Sequence, residues 1–418
     1  MKPHPSHKIQ AHEVPAEHRM DKPCVLLLST YAFRVPRHGG QVRLANIAKA
    51  FEKAGFSVSS LAVCESRYPG FGQDDLVFPN LAPHNLFAGR EILIATDYLS
   101  GVYAAENHGA WPQICSRFLN ERIDVIYVEQ PWLWPLARKL RALDNFSRSL
   151  LVYGSNNIEA PLRRDILKSY GQVDDEFIGA IDHLERQASC EADLAIAVTE
   201  DDGMALKEFG AKKIVIAPNG IAPWAASVQH LKQWKKKLPQ VPWALYIASA
   251  HPPNFTGFVD CVGEALGGIP PDSKLVIAGG VCDPLRAILA SSRWSDLNMA
   301  RTQYLGQLSD DDLAAVKSLA SVYCLPITYG GGSNIKTAEA LYSGASVIGS
   351  VSAFRGFDSF VNLPQVNLVH SPAQFQERLR NLLMMEPIPV DAAGRVMRVN
   401  LEWESCLAAI PKAVLSLL

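Results

Sequence analysis

Ten short apolar runs, spaced by helical patterns, constrain this chain more than any other feature. In the first half they are CVLLLS (24–29), VSSLAV (58–63), DVIYV (124–128), SLLVY (149–153), ADLAIAV (192–198) and KIVIAP (213–218). In the second half they are WALYIAS (243–249), KLVIAG (274–279), SVYCLP (321–326) and ASVIGS (345–350). Runs this continuously apolar fit strands buried on both faces, as in a parallel sheet. Between many of them lie amphipathic stretches such as QVRLANIAKAFEKAG (41–55), which ends on a glycine suited to a helix C-terminus. Strand–helix alternation over this length predicts an α/β protein with two doubly wound, Rossmann-like domains.

The chain is 418 residues long, too many for one ordinary core. The division falls after PNGI (218–221), at a basic segment, QHLKQWKKKLPQVP (229–242), whose lysines read as a solvated helix face. This gives an arm at 1–22, a first domain at 23–218, a linker at 219–242 and a second domain at 243–395. A helical segment follows at 396–418, with a break at Pro411, and is placed to pack back on the first domain. The arm is polar, rich in His and Pro, and lacks the apolar stretch of a secretion signal. No run is long enough to span a bilayer. The net charge of −2 gives no general attraction to nucleic acid. The eight cysteines are scattered without zinc spacing and read as reduced residues of a cytoplasmic protein.

In α/β sheets, ligands bind beyond the C-terminal ends of the strands. After 24–29, Gly39 and Gly40 precede a helix and allow close backbone approach by an anion, or simply make a tight turn. The spacing is neither G-x-G-x-x-G nor a Walker loop, which disfavours nicotinamide and P-loop chemistry. After 149–153, Asn156, Asn157 and Glu159 stand ready to contact a hydroxylated ligand, or an asparagine caps the next helix. After 243–249, His251 and Asn254 bracket two prolines that fix the loop. After 321–326 comes YGGGSNIKTAEALYSG (329–344). Ser333 or Asn334 can cap a helix whose amides at Asn334, Ile335 and Lys336 face a ligand with positive dipole. Lys336 sits where that dipole disfavours a cation, a conflict that a bound phosphate relieves. Glu339, further along, can accept two hydrogen bonds from a ribose diol.

Gly39-Gly40, NNIE (156–159), ADLAIAVTEDD (192–202), APNGI (217–221), HPPN (251–254) and GGGSNIKTAEALYSGASVIGS (330–350) occur in an order that resembles the retaining GT-B glycosyltransferases of family four. The resemblance covers nearly the whole chain from about residue 23. It implies two Rossmann-like domains facing a crevice (GT-B). It also implies a nucleoside-diphosphate sugar as donor, an acceptor that is a sugar, a lipid-linked glycan or a small molecule, and no cofactor or metal. Donor contacts carried over are Gly39, Gly40, Gly331, Gly332, Ser333, Asn334, Ile335, Lys336 and Glu339, the last on the ribose; Asn254 joins them from its strand-end position. His251 and Lys336 take the catalytic roles, and Asn157 and Glu159 the acceptor or sugar contacts. The family often has a glutamate where Gly331 stands, a histidine where Asn156 stands, and an Arg and a Lys in the loop that here reads SAHPPNFTG. These departures admit a catalytically silent sugar-nucleotide-binding module, or an epimerase of the same fold, as alternatives. A cytoplasmic location is expected, with room for peripheral contact at the membrane's inner face.

Overall fold

In the first half, the apolar runs form β1 (Cys24–Ser29), β2 (Ser57–Cys64), β3 (Leu76–Val77), β4 (Val125–Glu129), β5 (Leu150–Gly154), β6 (Leu194–Ala197) and β7 (Ile214–Ile216). The second half supplies β8 (Trp243–Ile247), β9 (Lys274–Ala278), β10 (Thr302–Gly306), β11 (Val322–Leu325), β12 (Ser346–Ser350) and β13 (Val366–Val369). This is a computed structural model, and it describes residues 22–328 and 331–418. The expected N-terminal arm, apart from Lys22, lies outside the described residues, as do Tyr329 and Gly330.

The strands make two separate parallel sheets, ordered β3-β2-β1-β4-β5-β6-β7 and β10-β9-β8-β11-β12-β13. Each sheet is covered on both faces, one core cluster per face. Inner strands such as β4 are buried along their whole length, which explains their unbroken apolar sequences. Strand order reverses between β1 and β4 and again between β8 and β11, so a crevice opens beyond each of those pairs. The helix Gly39–Lys53 leaves the first crevice and ends before Gly55, whose φ of 92° lies in the left-handed region.

The segment expected as a linker is largely a helix, Val228–Lys237, that packs on the second domain. Its Trp234 is buried and donates Nε1 to Asp312 Oδ1 at 2.7 Å, while Lys235 to Lys237 are exposed. The chain end crosses back. Ile221 N donates to Leu401 O at 2.8 Å and Trp403 N donates to Ile221 O at 3.1 Å. A Cβ on Gly220 would lie 2.8 Å from Trp403 N, so the glycine of PNGI permits this crossing. Beyond it, Trp403, Leu407, Ile410 and Val414 pack against Val25, Leu27 and Leu44 beneath the first sheet. The helical break falls at Ala408. Pro411 sits inside the first turn of the helix Ala409–Leu415, where its missing N–H has no intrahelical partner to lose.

All eight cysteines are free; Cys190 is exposed rather than a core residue. Among the described residues, no helix is long and apolar enough to cross a membrane.

Ile410 is fully buried under the first sheet. Ile410→Ala is expected to cost about 2–5 kcal/mol in urea unfolding, because a cavity opens beneath β1 and β6. An unchanged unfolding midpoint would mean the C-terminal segment does not complete this core.

Candidate functional site

A cleft of about 1590 Å³ lies between the two domains, lined by residues that follow β1, β4, β5 and β8 and by the stretch Ser333–Glu339. Its second-domain wall is the helix Ile335–Ser343. Asn334 occupies the N-cap position, but no side chain caps the helix. Ser333 is committed elsewhere: its Oγ accepts from Asn219 N at 3.1 Å, and its carbonyl accepts from Asn219 Nδ2 at 3.0 Å. The capping expected of Ser333 or Asn334 is therefore absent, and the first-turn amides face the cleft without a side-chain acceptor.

Lys336, on that first turn, donates Nζ to Asn254 Oδ1, and Asn254 Nδ2 donates to Ser249 O at 2.9 Å. The loop after β8 has no cation of its own, yet the ammonium of Lys336 reaches it. Burial lowers the Lys336 pKa to about 8, with Glu339 opposing the shift. Glu339 is not free. Lys317 Nζ donates to its Oε1 at 3.1 Å, and Lys317 lies 4.0 Å over the ring of Trp224. Lys317 is buried because it falls on the inward face of the helix Asp310–Leu319, beside Ala314 and Ala315. Trp224 in turn packs against Tyr342, ring centroids 4.7 Å apart. The expected ribose anchor thus belongs to a half-buried ion pair with an aromatic wall beside it.

Gly331 and Gly332 also have a packing role. A Cβ on Gly331 would lie 2.7 Å from Asn157 Oδ1, and a Cβ on Gly332 would lie 2.5 Å from the carbonyl of Asn156. Gly332 also has φ of 57°. Clearance here admits the first domain's loop. A Cβ on Gly39 would lie 3.5 Å from Ile335 Cδ1, and one on Gly40 would lie 2.8 Å from the hydroxyl of Tyr31.

On the first-domain wall, Glu129 ends β4 fully buried. It accepts from Asn156 Nδ2 at 2.7 Å and Tyr127 Oη at 3.0 Å, and burial raises its pKa. Neither asparagine caps the helix Glu159–Ser169. Glu185 does so from a neighbouring helix, accepting from the amides of Glu159 and Ala160, and burial pushes its pKa up to about 8. Glu159, expected as an acceptor or sugar contact, is 1 % exposed and its carboxylate is engaged within the protein. Its oxygens accept from Gln130 Nε2 at 2.9 Å and Arg163 Nε at 3.1 Å. Arg163 continues to Asp97 at 2.8 Å, and Asp97 accepts from Thr30 Oγ1 at 2.7 Å. Two non-glycine residues beside this network are left-handed, Ile94 at φ 67° and Gln130 at φ 60°. Strain of this kind persists where surrounding contacts over-determine the backbone.

The main cleft brings together Gly39, Gly40, Asn157, Ser333, Asn334, Ile335, Lys336 and Glu339. His251, Asn254, Gly331 and Gly332 instead line a smaller adjoining cavity of about 460 Å³, to which Asn334 and Lys336 also belong. Burial and the charge of Lys336 lower the pKa of His251. Sequence reading missed Lys317, Trp224, Asn219, Glu129, Asp97 and Arg163. Glu129, a carboxylate ending a strand, and Asn219, inside the motif APNGI, carried a local signal.

Gly332→Ala meets both a backbone oxygen and a left-handed φ, a strain of about 1–3 kcal/mol. The expected outcome is an opened interdomain contact, seen as a larger radius of gyration by small-angle scattering with each domain still folded. Wild-type dimensions would refute the packing role.

No family model and no curated protein matches the chain. Solved structures do. Sucrose-phosphate synthase from Thermosynechococcus elongatus matches at TM-score 0.66 and 15% identity, over 95% of this chain and 99% of that one. HepE of Anabaena, in complex with UDP-glucose, matches at 0.57 and 15%, over 94% and 96%. The catalytic domain of starch synthase IV from Arabidopsis thaliana, bound to ADP and acarbose, matches at 0.59 and 12%, over 95% and 98%. Both domains and the cleft between them are thus those of the GT-B fold.

Proposed function

We propose that the protein is a retaining glycosyltransferase that moves a sugar from a nucleoside diphosphate to an acceptor hydroxyl. The observation that carries this reading is the helix start at Asn334–Lys336. Its first turn has no side-chain cap, it opens on the interdomain cleft, and it bears a half-buried ammonium. Positive dipole and Lys336 together fit a diphosphate, and charge developing on that leaving group is the quantity a preorganised site must stabilise. Glu339, paired with Lys317, would hold the ribose hydroxyls, and Trp224 would wall the nucleoside. The HepE and starch synthase structures hold UDP-glucose and ADP in the same fold, which supports a nucleotide-sugar donor.

In this scheme the bond between the anomeric carbon and the phosphate oxygen breaks while the acceptor oxygen attacks from the same face. The acceptor proton passes to the leaving phosphate. The close contact of Asn156 and Asn157 with Gly331 and Gly332 is a ready means of excluding water, which protects the donor from hydrolysis. Gly331 offers no side chain to the sugar, and that favours one rival, a sugar-nucleotide-binding module without turnover. Nucleotide release from a panel of UDP-, GDP- and ADP-sugars, with simple sugars as acceptors, separates the two: binding without release supports the module.

Glu339→Gln is expected to weaken nucleotide affinity by ~1.5–3 kcal/mol by calorimetry. It also strands the charge of Lys317, so its melting temperature should fall. Adding Lys317→Met should restore melting but not affinity. Unaltered affinity in Glu339→Gln would remove the ribose assignment.

Lys336 loses its proton as pH rises through about 8. A bound diphosphate favours the charged form and raises that pKa. Nucleotide binding should therefore weaken above pH 8 and take up a proton between about 8 and the ordinary lysine value of 10.5, measured by calorimetry in buffers of different ionisation enthalpy. Lys336→Met should abolish the uptake; persistence of the uptake would place it on another group.

A further inference from the structure

The first-domain wall holds a polar cluster that donor binding leaves unused. Thr96, Asp97 and Ser100 lie at the start of the helix Thr96–Ala105 and line the cleft beside Thr30, Gln130 and Arg163. Ser100 is 1 % exposed, and its Oγ has no hydrogen-bond partner among the described residues. Across the wall, Asn156 gives its Nδ2 to Glu129, while its buried Oδ1 is likewise without a partner. A buried hydroxyl and a buried amide oxygen are costly to leave unpaired, and both belong to one cleft wall.

Charge decides what completes them. Arg163 already donates Nε to Glu159, Nη1 to Ile94 O at 3.2 Å and Nη2 to Asp97. It is held over the ring of Trp132 at 4.7 Å, so it offers little to an incoming anion. Asp97 and Glu65 add carboxylates to the lining. Arg37 and His38 line the cleft at its Gly39 end, but the helix Thr96–Ala105 carries Asp97 and no cation, so a phosphate seated at Ser100 would meet a carboxylate first. Hydroxyls meet what they need. Asp97 is partly exposed and accepts one bond on each oxygen, which leaves a lone pair on each.

Resting on the glycosyltransferase reading, we propose that this wall binds the acceptor as an uncharged polyhydroxylated ring, a sugar or cyclitol. Asp97 grips a pair of neighbouring hydroxyls, and Ser100 and Asn156 each pair with one more. Asp97 and Ser100 are its specificity-determining contacts. The left-handed Ile94 and Gln130 hold the wall in shape around them.

The test uses the full chain with UDP, GDP or ADP, whichever raises its melting temperature. Saturation-transfer NMR is run with myo-inositol, glucose, galactose and mannose, and with glucose 6-phosphate and myo-inositol 1-phosphate. Undecaprenyl phosphate in phosphatidylcholine vesicles tests a lipid acceptor by co-sedimentation. The expected result is binding of at least one neutral ring in preference to its phosphate. Ser100→Ala should weaken that binding roughly tenfold with the melting temperature and nucleotide affinity intact. Asp97→Asn should weaken it further. Binding of phosphorylated rings or vesicles alone overturns the proposal, as does equal affinity of Ser100→Ala for the neutral ring. If no nucleotide raises the melting temperature, the donor reading falls and this one with it; if a nucleotide binds and no neutral ring does, this one falls alone.

Discussion

Asn219 ties the two domains together at their narrowest point. Its amide and side chain bond Ser333, while its Oδ1 accepts from the buried Arg43 of the first domain at 3.1 Å. One residue within PNGI therefore sets where the glycine-rich loop stands relative to the first sheet. The contact of Asn156 and Asn157 with Gly331 and Gly332 follows from that placement, and so does the facing of Gly39 with Ile335. Without such a tie, two strand-end crevices would be two half-sites. With it, the first-domain wall and the helix start at Ile335 share one cleft.

Charge in this cleft is arranged unevenly. The second-domain wall carries the ammonium of Lys336 and the open end of a helix. Around Ser100 the first-domain wall carries Asp97 and a guanidinium already satisfied by carboxylates, with Arg37 and His38 further off by Gly39. Lys317 neutralises Glu339 from behind, so the carboxylate can stand near a diphosphate without strong repulsion. This polarity favours one direction of loading, with anion on the second domain and neutral polyol on the first.

The fold was legible because buried strands in a parallel sheet leave unbroken apolar runs. The strands that escaped notice, β3, β10 and β13, all lie at sheet edges. There half-exposure removes the signal: TQYLG and VNLV carry polar residues, and β3 has only two. At the site, the helix start and Glu339 were legible because glycine, small polar and acidic residues follow one another locally. Glu159 was placed for the same reason. Its strand-end position looked exposed, but Arg163 and Gln130 close over it. Lys317 and Asp97 could not be read, because their partners come from elements far away in the chain. The glycines were recognised and their neighbour was not: spacing shows that a side chain is excluded, not what excludes it.

The crossing of Ile221 with Leu401 and Trp403 has a consequence for biogenesis. The lower face of the first sheet is covered by Trp403, Leu407, Ile410 and Val414, which follow the second domain in the sequence. During translation the first domain emerges earlier but stays open on that face while the whole second domain is made. The domain that comes first in the sequence is therefore completed only after the other. A nascent chain of this design has to keep Val25, Leu27 and Leu44 from aggregating until the segment around Trp403–Val414 emerges.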